Sequence, residues 1–270
     1  MTSRIAERLQ AFQEPPCAVI AHRGGCHGAP ENTIAAFDSG LNQGAHGIEL
    51  DVRLSADNEV MVIHDATVDR TTNGTGYVRD FTGAELQQLD AGYSFTDTTG
   101  RHSYRGQGIT IPTLREVFAR YPAIPLIVEM KAERTTDLAD AMARLINDTG
   151  RRDHLIVASF DRKLLQQFRT HETGVPTNMA LFETAWFYGA HLVGAHEHTH
   201  CPGDAFQVPR RYYGIPVVQQ RFVQAAHACN MPVHVWTVNE RAVMQHLCAI
   251  GVDALITDVP HRALRVINAL

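Results

Sequence analysis

The sequence predicts an α/β fold, a (β/α)8 TIM barrel with an insertion after the third strand. Two observations predict it. Short apolar runs alternate along the chain with segments of helical spacing, which favours a parallel sheet covered by helices. The chain has 270 residues, and about 250 residues in this pattern is typical of such a barrel. We expect a single domain over residues 1–270, with the insertion at about 65–112.

Nine runs are candidate strands, one more than a barrel of eight needs. They are Cys17–Ala21, His46–Val52, Val60–His64, Leu126–Met130, Leu155–Ser159, Asn178–Phe182, Ala205–Val208, Val233–Val238 and Ala254–Thr257. Asn178–Phe182 and Ala205–Val208 have the weakest patterns. Only seven residues separate Val52 from Val60, too few for a crossover helix, so this connection is either extended or irregularly paired.

Helix candidates lie between most of these runs. They are Thr33–Gln43, Leu114–Arg120, Thr136–Asp148, Lys163–Thr170, Val218–Cys229 and Glu240–Ile250. Asn32 or Thr33 is the expected cap of the first, and Gly44 lies just past its end. A further short helix, Ser3–Phe12, is expected at the periphery of the molecule.

The segment from Asp65 to Pro112 interrupts the alternation. It is rich in Thr, Gly and Asp and has no clear periodicity, which indicates an insertion or a lid. Because it directly follows His64, we expect it to lie over the same end of the barrel as that residue.

The composition and charge of the chain limit the classes of molecule that we expect it to bind. A formal net charge of -5 argues against general nucleic-acid binding, which favours a basic surface. No apolar run approaches the roughly 20 residues that span a bilayer, and the polar N-terminus lacks the apolar core of a signal peptide. The five cysteines have irregular spacing, which indicates reduced thiols and a cytoplasmic protein. We therefore expect a small-molecule partner, no nucleic acid and no integral membrane segment, and the oligomeric state stays open.

Two acids mark the second candidate strand. Glu49 and Asp51 are two residues apart, so both side chains point to one face, which in a barrel is the interior. Two inward carboxylates repel each other unless a positive charge lies between them. A hard cation, Mg²⁺ or Ca²⁺, answers this need because both take oxygen ligands. The alternative is a pair of solvated acids on an edge strand, but apolar Ile48, Leu50 and Val52 favour a buried strand.

The same spacing recurs at Glu129 and Lys131. Taken alone, this pair is best interpreted as a simple ion pair at a strand end. Beside Glu49 and Asp51, Glu129 becomes a candidate third metal ligand. Lys131 becomes a candidate partner of a phosphate group, which lysine binds as a compact point charge.

Two histidines close candidate strands that flank the acidic strand. His22 and His64 would both lie at strand C-termini, which form the active-site face of parallel barrels. Imidazole exchanges a proton near neutral pH. Arg23 adds a planar guanidinium that suits phosphate oxygens. Trp236 ends another candidate strand, where it is either a core residue or a platform for a ligand at the barrel mouth.

A histidine-rich segment lies between residues 191 and 201. Its histidines and Cys201 lack the spacing of a tetrahedral zinc site, so we interpret the segment as a polar loop at the barrel rim.

Read in order, the motifs resemble those of the glycerophosphodiester phosphodiesterase family. The matching segments are His22-Arg23-Gly24, Pro30-Glu31-Asn32-Thr33, Glu49-Leu50-Asp51-Val52, His64-Asp65, Thr72-Asn73-Gly74-Thr75-Gly76, Glu129-Met130-Lys131, Ser159-Phe160, Trp236-Thr237-Val238-Asn239 and Ile256-Thr257-Asp258. Two regions depart from the family pattern. Cys26-His27-Gly28 fills the loop between the first two motifs, and the segment from Phe182 to Tyr213 is poorly matched.

The resemblance implies a site and a reaction. One divalent cation, Mg²⁺ or Ca²⁺, would be held by three acids, the phosphate by two cations, and His22 and His64 would serve as base and acid. The implied ligands and phosphate partners are Glu49, Asp51, Glu129, Arg23 and Lys131. Glu31 and Asn32 would either support the site residues from behind or contact a water on the metal.

The implied reaction is hydrolysis of a glycerophosphodiester to sn-glycerol 3-phosphate and an alcohol, through a cyclic phosphate or by direct attack of water. An alternative on the same barrel is a lysophospholipase D-type or phosphoinositide-directed phosphodiesterase, for which the aromatic run Trp186-Phe187-Tyr188 is a hint. A non-catalytic binding protein is the alternative from another class, and the intact set of histidines, acids and cations argues against it.

Overall fold

The computed structural model describes residues 3–13, 16–132, 135–171 and 173–270. Its strands are β1 (Ala18–His22), β2 (Gly47–Leu54), β3 (Val60–Val62), β4 (Leu126–Met130), β5 (Leu155–Ala158), β6 (Phe206–Pro209), β7 (Arg211–Tyr212), β8 (Ile215–Pro216), β9 (Val233–Trp236) and β10 (Ala254–Thr257). Its α-helices are α1 (Ser3–Gln10), α2 (Ile34–Asn42), α3 (Gly83–Leu86), α4 (Leu114–Arg120), α5 (Asp137–Thr149), α6 (Arg162–Thr170), α7 (Leu181–Leu192), α8 (Gln220–Ala228), α9 (Arg241–Ala249) and α10 (Pro260–Ile267). Short 3-10 turns lie at Val78–Asp80 and His196–His198.

Parallel pairing closes the strands into a barrel. Seven strands pair in the order β5-β4-β2-β1-β10-β9-β6. The gap between β5 and β6 is filled by two residues, since Thr177 bridges Val157 and Asn178 bridges Ala205, both in parallel. These bridges supply the eighth position of the ring. The predicted α/β barrel is confirmed.

The third candidate strand, Val60–His64, is the one that the eight-position ring does not use. β3 is the third strand along the chain, but it pairs antiparallel with β2, with Val52 opposite Val62, and takes no position in the parallel ring. The short connection after Val52 is therefore a hairpin, because antiparallel neighbours need no crossover helix. The long insertion follows this hairpin.

The candidate strand Asn178–Phe182 is wrong beyond its first residue. The chain turns into α7 at Leu181, and the carboxylate of Glu183 accepts a hydrogen bond from the Ala180 backbone N–H at 2.8 Å, which caps the helix. The apolar run from Met179 to Phe182 crosses the start of α7, and a short apolar run does not distinguish a buried strand from the first turn of a helix.

The N-terminal helix is not peripheral, contrary to expectation. Leu9 and Phe12 are fully buried and pack in a cluster with Ile20 and Ile127, which point into the barrel. Ile5, Leu9 and Phe12 recur at helical spacing, so one face of this segment is apolar. The segment therefore closes the N-terminal end of the barrel and leaves the opposite end open.

Strand alternation divides the side chains of the barrel into two sets. On β2, Ile48, Leu50 and Val52 pack outward in the core shared with the helices. Glu49 and Asp51 therefore face the interior, as the two-residue period requires. The predicted orientation of these acids is confirmed.

The segment after β3 has a small core of its own. Ile63, Val68, Val78, Leu86 and Ile111 are buried in a cluster apart from the barrel core. The Tyr104 hydroxyl donates to the Gly28 carbonyl at 3.4 Å, and the Arg70 guanidinium pairs with Glu31. The segment therefore lies against the loop that follows β1, at the mouth of the barrel, as its position after His64 predicts.

The sequence predicts neither a membrane-spanning segment nor a set of disulfides. In the part of the chain that the structure describes, no helix has the length and apolar character needed to cross a bilayer. All five cysteines are free thiols.

The packing of α2 against the β1 loop gives a test of the fold. A Cβ atom at Gly40 would lie 2.5 Å from the Gly24 carbonyl oxygen, whereas a Cβ at Gly189 on α7 would meet nothing within 4 Å. Both glycines are helical, so both substitutions gain the same helix propensity. We expect Gly40→Ala to lower the free energy of unfolding by about 2 kcal/mol through overpacking. Gly189→Ala should raise it by about 0.5–1 kcal/mol.

Urea unfolding followed by circular dichroism measures both changes. Equal free-energy changes in the two variants would contradict the close approach of α2 to the β1 loop.

Candidate active site

The candidate site residues lie at the C-terminal ends of the strands and line one cavity of about 190 Å³. β1 ends at His22, and Arg23 is the next residue. β2 carries Glu49 and Asp51. β4 carries Glu129 and ends at Met130, one residue before Lys131. His64 lies just past β3, and Trp236 ends β9. All eight residues singled out from the sequence line this cavity, namely His22, Arg23, Glu49, Asp51, His64, Glu129, Lys131 and Trp236.

Strand register brings the acids together. His22 pairs with Glu49 across β1 and β2, and Asp51 pairs with Glu129 across β2 and β4. Neighbouring strands lie about 4.8 Å apart, so inward side chains at paired positions meet. Carboxylate oxygens of Glu49, Asp51 and Glu129 all lie within 4.8 Å of one another.

Two cations already neutralise part of this charge. The Lys131 ammonium lies 2.8 Å from Asp51 Oδ1 and 2.8 Å from Glu129 Oε1. Arg23 Nε lies 3.1 Å from Asp51 Oδ2. Burial opposes the charge of Asp51, but Lys131 and Arg23 outweigh it and lower the pKa of this carboxyl. Lys131 and Arg23, the predicted phosphate partners, therefore form ion pairs with these acids.

Among the described residues, no lysine or arginine side chain pairs with Glu49 as Lys131 does with Asp51. Its carboxylate accepts from the Arg23 backbone N–H at 3.0 Å, and His22 Nε2 lies 3.9 Å away. Burial and the neighbouring charge of Asp51 raise the pKa of Glu49 to about 7. Burial and Asp51 also raise the pKa of Glu129. Uncompensated negative charge on buried oxygen donors fits a hard divalent cation, so these three residues could hold Mg²⁺ or Ca²⁺.

A carboxylate orients each histidine. His22 Nδ1 lies 2.6 Å from Asp258 Oδ1, and Asp258 in turn accepts from the Asn239 side-chain amide at 2.6 Å. His64 Nδ1 lies 2.6 Å from Asp65 Oδ1, and Arg70 donates to the other oxygen of Asp65. With both Nδ1 atoms engaged, Nε2 is the nitrogen that each ring has free for chemistry.

The pKa values of the two histidines are shifted in opposite directions. Burial disfavours the imidazolium of His22, but Asp258 and Glu49 outweigh it and raise the pKa. Burial lowers the pKa of His64, and Asp51 and Asp65 offset only part of that effect. The two rings therefore lie on opposite sides of the ordinary histidine pKa, which suits a division into proton donor and proton acceptor.

Glu31 and Asn32 form hydrogen bonds with charged residues of the cavity. The Asn32 side chain donates to Asp51 Oδ2 at 2.9 Å and accepts from the Asp51 backbone N–H at 3.1 Å. Its φ of 57° is left-handed, a region that asparagine tolerates better than most residues. Glu31 accepts from Arg23 at 2.9 Å and also from Arg70. It therefore links the β1 loop to the insertion.

Trp236 stands at the cavity mouth. Its ring meets Phe160 edge to face, with centroids 5.4 Å apart and planes 83° apart. Phe160, Asn178 and Gln207 line the same side of the cavity. This side is uncharged, whereas the opposite side carries the acids and cations.

Sequence reasoning missed the roles of four residues. The site inferred from the sequence gives no role to Asp65, Arg70, Asn239 or Asp258. Asp65 and Asp258 bond to the two cavity histidines. Arg70 and Asn239 in turn donate to those two carboxylates. Two signals were present, because Asp65 directly follows His64 and Asp258 directly follows the last strand. Arg70 left no such signal, since it lies in the insertion.

The histidine-rich segment contributes to neither of the ligand clusters found among the described residues. Among the residues that the structure describes, the groups with metal-ligand spacing are the three acids and a cluster of His22, Cys26 and Asp258. His191 instead packs against Phe222.

The sequence matches a known family along most of its length. The sequence model of the Glycerophosphoryl diester phosphodiesterase family matches residues 22–262. The Bacillus subtilis (strain 168) protein YhdW is 35% identical over 246 residues, which cover 90% of this chain and 94% of that protein. The glycerophosphodiester phosphodiesterase of Caldanaerobacter subterraneus subsp. tengcongensis is 32% identical over 254 residues, with 93% and 97% covered.

Solved structures of phosphodiesterases have a similar fold. A glycerophosphodiester phosphodiesterase from Agrobacterium tumefaciens superposes with a TM-score of 0.73 at 29% identity, covering 92% of this chain and 99% of that one. An Oleispira antarctica phosphodiesterase, solved with the product sn-glycerol-3-phosphate, superposes with a TM-score of 0.76 at 27% identity, covering 96% and 98%. The chain belongs to the glycerophosphoryl diester phosphodiesterase family. The expected enzyme class, a phosphoric diester hydrolase, is confirmed.

The carboxylate behind His22 gives a test of the site. Asp258→Asn keeps the shape of the side chain but removes the charge that stabilises and orients the imidazolium. We expect kcat to fall at least about tenfold and the pKa of His22 to fall. Phosphodiester turnover and an NMR titration of the histidine ring protons measure the two effects.

Asp253→Asn is the matched control. It breaks a similar pair, since Asp253 Oδ2 lies 2.8 Å from Nε2 of His227, outside the cavity. This variant should lower the pKa of His227 and leave turnover unchanged. An unchanged kcat in Asp258→Asn would contradict the role given to Asp258.

Proposed function

We propose that this protein hydrolyses glycerophosphodiesters to sn-glycerol 3-phosphate and an alcohol, with one divalent cation and two histidines. The observation that carries the proposal is the convergence of eight residues, chosen from the sequence, on one cavity. The bound product in the Oleispira antarctica relative supports the same substrate class.

Glu49, Asp51 and Glu129 would hold Mg²⁺ or Ca²⁺. When bound, the cation supplies positive charge that offsets the negative charge on the phosphate. If the cation compensated the charge of the carboxylates, Lys131 and Arg23 would be available to bind phosphate oxygens. Arg23 suits this role because its guanidinium can donate two parallel hydrogen bonds to one phosphate.

His22 and His64 would share proton transfer. One ring takes the proton of the nucleophile, and the other gives a proton to the oxygen of the leaving alcohol. The sequence-based assignment of His22 as base and His64 as acid stays a prediction. The raised pKa of His22 and the lowered pKa of His64 favour the reverse assignment. Compensating the charge of Glu49 would remove one contribution that raises the pKa of His22.

The nucleophile is either the neighbouring glycerol hydroxyl or water. Attack by the hydroxyl forms a cyclic phosphate and expels the alcohol, and water then opens the ring. This route gains from the high effective concentration of an intramolecular group. Trapping a cyclic phosphate during turnover in labelled water would support it, and its absence would favour direct attack by water.

For the domain organisation, the compartment and the partners, we keep the predictions made from the sequence. We propose that residues 1–270 act as a single TIM-barrel domain that includes the insertion at about 65–112. The free thiols are consistent with a reducing compartment, the cytoplasm. The net charge of -5 is consistent with the absence of a nucleic-acid partner.

Removal of the metal tests the proposal directly. We expect EDTA to abolish release of sn-glycerol 3-phosphate from glycerophosphocholine, and Mg²⁺ or Ca²⁺ to restore it, as followed by a coupled assay of the product. Glu49→Gln, which removes one anionic ligand, should lose both activity and metal response. Glu197→Gln, at an exposed site outside the cavity, is the control and should keep both. Full activity in EDTA would contradict the metal requirement.

The histidines give a second test. His22→Ala and His64→Ala should each lower kcat by about 10²- to 10⁴-fold, because each removes a group that transfers a proton. His227→Ala, which changes a surface histidine, should leave kcat unchanged. Steady-state kinetics on glycerophosphocholine measure the effect, and near-normal turnover in both cavity variants would refute the assignment.

A further inference from the structure

A second cluster of potential metal ligands lies beside the three acids. His22 Nδ1, Cys26 Sγ and a carboxylate oxygen of Asp258 all lie within 4.8 Å of one another. Asp258 Oδ1 is their common point, because it lies 2.6 Å from His22 Nδ1 and accepts a hydrogen bond from the Cys26 thiol at 3.0 Å. This cluster, which we call the thiol cluster, shares no residue with the three acids.

The backbone brings the three side chains of the thiol cluster together. Parallel pairing of β1 with β10 places the ends of these strands side by side, so His22 lies next to Asp258. Residues 23–25 then have φ values of 50°, 88° and 82°, which turn the chain back over the strand ends. Two of these three residues are glycines, which adopt the left-handed region without steric strain. Cys26 is the first residue after this turn, so its position is set by the fold.

Cys26 belongs to one of the two regions that depart from the family motifs. It lies in the loop Cys26-His27-Gly28, between the first two matching segments. The other two members of the thiol cluster, His22 and Asp258, belong to segments that match. This chain therefore places a sulfur ligand beside residues of the candidate active site, and the proposed hydrolysis makes no use of that sulfur.

The ligand types of the thiol cluster select the kind of cation. Imidazole nitrogen, thiolate sulfur and carboxylate oxygen are the ligands of Zn²⁺, which is usually four-coordinate and can hold a water in its fourth position. Mg²⁺ and Ca²⁺ prefer oxygen ligands and suit the three acids instead. Asn239 donates to Asp258 Oδ2 at 2.6 Å. A partner of this kind holds a carboxylate in place while its other oxygen binds a metal.

The surroundings of Cys26 favour a cation rather than oxidation of the thiol. Burial and the charge of Asp258 raise the pKa of the Cys26 thiol, and Glu31 adds to the effect. A thiol that stays protonated reacts slowly with oxidants, because the thiolate is the reactive form. The same negative charge attracts a divalent cation, which takes the place of the thiol proton. Cys26 is half-buried and His27 is exposed, so the cluster is open to ions from solvent.

We propose that His22, Cys26 and Asp258 bind Zn²⁺ and that zinc bound there inhibits phosphodiester hydrolysis. The inhibition rests on the proposed function, because it acts through proton transfer at His22. When zinc binds, bonds form to Sγ, Nδ1 and Oδ1, and the thiol proton leaves to solvent. The neutral imidazole then keeps its single proton on Nε2, because the metal occupies Nδ1.

Zinc on Nδ1 would disable His22 in either of its possible roles. A ring with its proton on Nε2 has no lone pair there, so it cannot serve as the base. The ring cannot become imidazolium either, because its other nitrogen is bonded to the metal, and imidazolium is the form that donates a proton readily. The inhibition is therefore expected whether His22 is the acid or the base.

Cobalt binding tests the thiol cluster without turnover. Co²⁺ accepts the same ligands as zinc, and a thiolate–cobalt bond gives a charge-transfer absorption band that oxygen and nitrogen ligands alone do not give. The full chain is titrated with Co²⁺ while excess Mg²⁺ occupies the three acids. We expect the band to appear and to saturate, and Cys26→Ser to abolish it. The absence of a band, or a band that Cys26→Ser leaves unchanged, overturns the proposal.

Cys229→Ser is the matched control for Cys26→Ser. Cys229 is also a half-buried free thiol, its Sγ lies 3.7 Å from the His196 carbonyl oxygen, and it belongs to neither ligand cluster. This variant should keep the cobalt band. Loss of the band in both serine variants would contradict the assignment to Cys26.

Inhibition by zinc gives the second measurement. Hydrolysis of glycerophosphocholine is followed with Mg²⁺ in excess and with increasing Zn²⁺, in buffer without added thiols, and each rate is divided by the zinc-free rate of the same variant. We expect Cys26→Ser to raise the half-inhibiting zinc concentration at least about tenfold, because a direct ligand is lost. Cys229→Ser should leave this concentration unchanged. Inhibition that further Mg²⁺ relieves equally in all three proteins would mean that zinc acts at the three acids, and it would overturn the proposal.

The outcomes separate this proposal from the proposed function. Zinc-free cleavage of glycerophosphocholine, with no cobalt band and no effect of Cys26→Ser on zinc inhibition, overturns the zinc site alone. A cobalt band that depends on Cys26, with no cleavage under any metal, supports the zinc site and overturns the proposed function. Neither band nor cleavage overturns both.

Discussion

The repulsion among three buried carboxylates is the constraint on which the rest of the site depends. The parallel register of β1, β2 and β4 brings Glu49, Asp51 and Glu129 together at the barrel mouth. Their charges are tolerable at that depth only with compensating charge nearby, because burial disfavours ionised carboxylates. Lys131 supplies part of it at 2.8 Å from two of the acids. The charge left over is what makes the cluster suitable for a divalent cation.

The barrel mouth divides into two sides with different tasks. The side formed by β1, β2 and β4 carries the acids, His22, Arg23 and Lys131, and it suits the phosphate. The other side carries Asn178, Gln207 and Trp236 and leads into an apolar cavity lined by α7 and the β7–β8 hairpin. In the proposed function, this division separates the chemistry of the phosphodiester from recognition of the groups attached to it. Changes in α7 or the β7–β8 hairpin can therefore alter substrate choice while the reaction site keeps its geometry.

Much of the fold could be predicted because it depends on local patterns. The bounds of β4, β10 and α4 agree with the apolar runs and caps in the sequence. The failures share a cause, which is that long-range contacts outweigh local preference. The third candidate strand has the pattern of a barrel strand but pairs antiparallel with β2, and α7 begins inside an apolar run that predicts a strand. One face of the N-terminal segment is buried because the apolar side chains at the N-terminal end of the barrel pack against it.

By itself, the sequence determined which residues would line the cavity and which way those on β2 face. A two-residue period puts Glu49 and Asp51 on one side of a strand whatever surrounds it. Only the tertiary structure decided what each of them meets. Asp258 holds His22 across 236 residues of chain, and Arg70 reaches Glu31 from within an insertion. Strand register and loop packing set these contacts, and both depend on segments far apart in the sequence. The apolar cavity has the same origin, because its walls join only when the barrel closes.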